Sequence, residues 1–244
     1  MVDDLIAAAK ALHKERYADA EVTFLAGSLV RGEGTSTSDL DLVVVFKSLP
    51  NAYRESFRFG DWPVEAFVHD PQTLAYFFHK VDKPSGVPSL PTMVSEGIEI
   101  PQSSEFSRAI KASADSVLAE GPLPWARTDI DSSRYAITGL VDDLREPRSR
   151  AEQFATATAL YAALSNHFLR KRGVWSAKDK TIPRQLRKVD SSFSEKFAAS
   201  FNALLERGES AQVIALAEQV LASDGGWLFE GYVLPAPAEW KLPT

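Results

Sequence analysis

The chain reads as an α/β unit followed by a helical bundle. Two patterns support this. Short apolar runs bounded by glycine or turn residues fill the first hundred residues, alternating with helical periodicity. Beyond Gly121-Pro-Leu-Pro-Trp125 the apolar residues recur almost entirely at helical spacing. The Gly-Pro-rich segment is the expected boundary, which gives domains 1–122 and 123–244.

Taken in order, Asp4 to Arg16 is expected to be helical, with Leu5, Ile6, Ala9 and Leu12 on one face. Val22–Ala26 and Leu40–Phe46 read as strands, and Trp62–Val68 as a third. Asp70-Pro71 opens a helix to about Lys80. Pro84 to Pro91 is expected to be a turn-rich loop and Ile98–Ile100 a short strand. Ser104 to Glu120 reads as a helix stopped by Gly121-Pro122. In the second half, helices are expected over Ser132–Arg145 and Arg150–Arg172, then roughly over 181–189, 193–207 and 209–223. Gly225-Gly226 opens an extended, aromatic and Pro-rich tail.

The chemistry concentrates between Gly27 and Asp41. A Gly-Ser pair follows the first strand, and Asp39-Leu40-Asp41 opens the second. Strand side chains alternate, so Asp39 and Asp41 share a face while Leu40 faces the core. Two neighbouring carboxylates repel unless a cation lies between them, and a hard divalent ion such as Mg²⁺ takes oxygen ligands. Glu65, the lone charge in its strand, is the expected third carboxylate. The turn between the strands is rich in Gly, Ser and Thr, so it can offer amides and hydroxyls to an anion. Ser28 is placed to cap a short helix starting near Leu29, whose N-terminus would suit a phosphate. Carboxylates for a metal beside amides for phosphate point to a metal–nucleotide site.

These residues resemble the nucleotidyltransferase superfamily typified by DNA polymerase beta. The likeness is to its small bacterial branch, which includes the aminoglycoside and lincosamide nucleotidyltransferases. The matching pattern is Gly27-Ser28, Asp39-Leu40-Asp41 and Glu65, with Arg31 and Ser38 in the same style. It covers residues 22–68 directly. The resemblance implies a mixed sheet flanked by helices, a nucleoside triphosphate (ATP first) and Mg²⁺ in a two-metal site. It also implies in-line transfer of a nucleoside monophosphate to an acceptor hydroxyl, with pyrophosphate released and the site between the two parts. Catalytic and metal roles fall to Asp39, Asp41 and Glu65. Gly27, Ser28, Arg31 and Ser38 would contact nucleotide. A lysine after the long helix would reach the triphosphate. Lys178 and Lys180 stand there, with Arg184 and Arg187 behind them. Asp142, Asp143 and Glu146 are candidate bases from the helical part.

Composition narrows the classes. The net charge of −6 argues against a general nucleic-acid binder. The charge is uneven: Arg134 to Arg207 carries 14 basic and 8 acidic side chains, a net of +6 against −12 elsewhere. A triphosphate with its cation would suit the junction of such parts. There is no cysteine, so disulfides and thiolate metal sites are excluded. The four histidines, His13, His69, His79 and His167, show no ligand spacing and are expected at surface or half-buried positions. The N-terminal residues form an acidic amphipathic segment and no apolar run is long enough for a membrane span, so a cytoplasmic protein is expected. The expected partners are a nucleoside triphosphate and a hydroxyl-bearing small molecule. The rival class is a non-catalytic nucleotide-binding or regulatory module of the antitoxin type, and the presence of all three carboxylates argues against it.

Overall fold

The computed structural model describes residues 2–241; the last three residues of the expected tail, 242–244, lie outside them. The chain divides into two compact units, residues 1–122 and 123–244.

The first unit is built on a mixed five-stranded sheet in the order β3-β4-β2-β1-β5. Its strands are β1 (Val22–Ala26), β2 (Leu40–Val45), β3 (Tyr53–Phe59), β4 (Trp62–His69) and β5 (Ile98–Ile100). β1 pairs antiparallel with β2 and with β5. The chain then passes to the outer edge as β3 and returns as β4, which slots in parallel to β2. Gly60, with φ of 56°, makes the two-residue β3–β4 turn with Asp61. β3 is an addition to the sequence-derived elements.

Helix α1 (Val2–Arg16) covers one sheet face with Leu5, Ala9 and Leu12, four and three residues apart and all buried. They pack with Leu40, Leu42 and Val44 of β2 and Val64, Ala66 and Val68 of β4. Leu40 thus faces the core as expected. The opposite face of β2 and β4 carries Asp41 and Glu65.

A four-residue helix, α2 (Gly27–Val30), follows β1. Helix α3 (Pro71–Tyr76) is capped by Asp70, whose side chain accepts from the Thr73 N–H at 2.8 Å and the Leu49 N–H at 3.0 Å. It continues as a π-helical stretch, Phe77–Asp82, and a short turn, α4 (Lys83–Ser85). The expected loop over Pro84–Pro91 is only partly a loop. Gly86 ends the previous turn at φ 76°, and α5 (Ser89–Glu96) starts at once, because Pro91 lies in its first turn, where no N–H is needed. α6 (Glu105–Glu120) begins at its Ser104 cap and stops at Gly121.

The second unit is helical: α7 (Arg127–Arg145), α8 (Arg150–Arg170), α9 (Ile182–Val189), α10 (Ser191–Arg207) and α11 (Ala211–Leu221). The first of these starts at Arg127, ahead of the expected Ser132, where the Asp129 carboxylate accepts the Ala126 N–H at 2.8 Å. The core joins Ile137, Val141 and Leu144 to Leu160, Leu164 and Phe168, and to Phe193, Phe197 and Phe201. Among the described residues no helix is long and apolar enough to cross a membrane.

Three of the four histidines are buried, beyond the surface or half-buried placement expected. His167 meets Ser133 at 2.9 Å and Asp224 at 3.2 Å. His69 contacts Thr73 and the edge of Phe77. Burial lowers the His69 pKa from 6.5 to about 4, with Asp70 opposing weakly. A base with a depressed folded-state pKa stabilises fully above its unfolded value, so this contribution falls as pH drops from 6.5 towards 4. The loss is on the order of 3 kcal/mol. Urea unfolding of the first unit should follow this slope, and His69→Asn should flatten it; an unchanged slope in the variant would refute the assignment.

Candidate functional site

The site forms where β1 ends and β2 begins. Ala26, the last residue of β1, pairs with Asp41 of β2. Gly27 then turns the chain with φ of 84°, a conformation that side chains rarely adopt. The turn passes directly over the Asp41 carboxylate. A Cβ on Gly27 would lie 2.0 Å from Asp41 Oδ2 and 2.8 Å from its Cγ. Only a residue without a side chain allows that approach, which explains the glycine.

Asp39 lies one residue before β2 and Asp41 one residue inside it. In the parallel β2–β4 register Asp41 stands directly opposite Glu65. All three carboxylates are half-buried, and each offers an oxygen within 4.8 Å of the others. Like charges directly opposite one another are unfavourable without a cation. A set of three carboxylates and no nitrogen or sulfur ligand fits a hard divalent ion such as Mg²⁺. The residues present therefore fit a divalent-metal centre.

The preceding loop is held by its own hydroxyls. Ser38 Oγ accepts the Thr35 N–H at 2.9 Å, and the Ser28 hydroxyl donates to Ser38 at 3.3 Å. Ser28 does not cap a helix. α2 starts two residues earlier than expected, its cap is Ala26, and Ser28 lies inside its single turn. Arg31 is ion-paired to Glu33 at 3.1 Å and to Glu96 at 3.3 Å.

Lys178 and Lys180 belong to the second unit. Both are exposed at the turn after α8, where the Lys178 N–H donates to Thr181 Oγ1 at 3.2 Å. Asp142 and Asp143 lie on α7, also exposed, and Asp142 is ion-paired to Arg145. With Glu146, Glu152 and Arg148 they line a cavity of about 380 Å³.

One residue beside the three carboxylates has no counterpart in the sequence reading. Arg54 of β3 donates a hydrogen bond to Glu65, and its guanidinium lies 4.9 Å from the centre of the Phe67 ring. The available signal was the Tyr53–Phe59 alternation, which sends Glu55, Phe57 and Phe59 one way and Arg54 the other.

Residues 6–83 match the family model described as a nucleotidyltransferase domain, a stretch that spans α1 to the π-helical turn and holds all three carboxylates. The match of that stretch supports nucleotidyl transfer in general. Among solved structures, the chain is similar to a nucleotidyltransferase-like protein from Exiguobacterium sibiricum 255-15. Identity is 17% and the TM-score is 0.47, covering 90% of this chain and 75% of that one. No curated protein matches the chain.

Proposed function

We propose that the protein is a Mg²⁺-dependent nucleotidyltransferase that moves a nucleoside monophosphate, from ATP in the first instance, to a hydroxyl of a small molecule. The observation that carries this is the convergence of Asp39, Asp41 and Glu65, with Asp41 beneath the Gly27 turn. The acceptor oxygen attacks the α-phosphorus in line, the bond to the bridging oxygen breaks, and pyrophosphate leaves. Mg²⁺ bound there supplies positive charge to the phosphate oxygens and lowers the pKa of an attacking hydroxyl.

The chain's own residues do the remaining work. Asp39, Asp41 and Glu65 hold the metal. The Gly27 backbone and the Ser28 and Ser38 hydroxyls meet phosphate oxygens, and Arg31 adds charge beside them. By the resemblance alone, Lys178 or Lys180 of the second unit is the candidate flexible point charge for the leaving pyrophosphate. Glu65 takes the acceptor proton, a role for which Asp142 and Asp143 of the second unit are candidates by the resemblance alone. Catalysis by such a set is mainly positioning and charge stabilisation.

Calorimetric titration with a non-hydrolysable ATP analogue, with and without Mg²⁺, tests the reading. Mg²⁺-dependent binding that is lost in Asp39→Asn is the expected result. Absence of binding by this and the other nucleoside triphosphate analogues would overturn it in favour of a regulatory module.

A further inference from the structure

We propose that Arg54 is the built-in counter-ion of the metal centre: it occupies Glu65 until a divalent cation displaces it, and then turns to the negative charge of the bound nucleotide. This rests on reading Asp39, Asp41 and Glu65 as the metal ligands.

The sheet register creates the pairing. In the antiparallel β3–β4 ladder Ser56 stands opposite Glu65 and Arg54 opposite Phe67. Arg54 therefore shares the face of Glu65, one diagonal step away, within reach of a long side chain. Phe67 gives its guanidinium an aromatic surface to lie on, and that places the fork at the carboxylate. Three carboxylates within 4.8 Å of one another need compensating charge, and the Arg54 guanidinium supplies it from the chain itself.

The contact is made to be broken. The Arg54 side chain is 60% exposed and that of Glu65 22% exposed. An ion pair with one partner so open adds little to stability. A metal ion and the guanidinium seek the same oxygens of Glu65, and two positive groups a few ångströms apart repel. Binding of the metal thus works against Arg54. Arginine cannot lose its proton, so it yields by moving rather than by titrating. Its exposure gives it room, and a planar fork of donors matches a phosphate oxygen pair as well as it matches a carboxylate. The same cation would guard the empty site and help fill the loaded one, which couples metal binding to nucleotide binding.

Mn²⁺ is the probe, with free ion read by electron paramagnetic resonance, on wild type, Arg54→Ala, Arg54→Lys and Asp39→Asn. The exposed position makes folding of the Arg54 variants secure, and circular dichroism checks it. Without nucleotide, Arg54→Ala should bind Mn²⁺ about tenfold tighter than wild type, since a cation a few ångströms away is gone. Arg54→Lys should stay near wild type. In the Mn²⁺-loaded protein Arg54→Ala should bind the ATP analogue more weakly. Unchanged or weaker Mn²⁺ binding by Arg54→Ala, where wild type binds and Asp39→Asn does not, would overturn the counter-ion role while leaving the metal site standing. No Mn²⁺ binding by wild type would overturn the metal site itself, and the counter-ion role with it.

Discussion

Asp41→Asn should abolish nucleotidyl transfer, by about 10³-fold or more, while the chain folds as before. Asp41 is the member of the triad with the most structural dependents. It pairs with Ala26 of β1, stands opposite Glu65 of β4, and lies beneath the Gly27 turn. An amide keeps its shape but loses its charge, so backbone pairing is untouched and a cation bound by the proposed triad would lose a ligand. Two readouts separate chemistry from folding: Mn²⁺ binding should fall steeply, and the urea midpoint should not drop. Turnover at the wild-type level in this variant would remove Asp41 from the mechanism.

Gly27→Ala is expected to damage both fold and site. The backbone there has φ of 84°, which costs a side-chain-bearing residue about 1–2 kcal/mol. The new Cβ would also sit 2.0 Å from Asp41 Oδ2 and 2.9 Å from Asp41 Cβ. The aspartate lies on a paired strand and has little room to retreat, so the total loss should be about 2–4 kcal/mol. What remains folded should bind Mn²⁺ poorly, because the ligand has been pushed aside. The double variant Gly27→Ala with Asp41→Ala removes the clash but not the backbone strain. Its loss of stability should therefore be smaller than the sum of the two single losses, a coupling that a thermodynamic cycle measures. Strict additivity would show that the turn and the carboxylate do not touch.

The motif was legible because its parts are local and periodic. β1, β2 and β4 are apolar runs with clear ends, and alternation correctly put Leu40 and Asp41 on opposite faces. The starts of α3 and α6 were legible too, since Asp70 and Ser104 are capping residues before helical patterns. Elements whose signals oppose their structure were harder to read. β3 buries Glu55 partway on the α1 side, so its inward face is not purely apolar. α5 opens beside prolines that usually mark loops, and only the place of Pro88 before the helix and of Pro91 in its first turn reconciles them with it. Ser28 looks like a cap by residue type, yet the helical turn starts two residues sooner, at Gly27 with its positive φ. Arg54 was hidden for a different reason. Its meaning depends on β3 pairing with β4, a relation between strands that no single segment carries.

The strand register that sets Asp41 opposite Glu65 has a consequence for anyone selecting hardier versions of this protein. Facing like charges weaken a sheet, so Asp41→Asn or Glu65→Gln would each relieve the repulsion that the exposed Arg54–Glu65 pair leaves uncompensated. A screen that scores only survival on heating would enrich these changes early and return inert proteins. Selection for robustness must therefore be run with the divalent ion present, where the repulsion is already neutralised and the native acids lose their disadvantage.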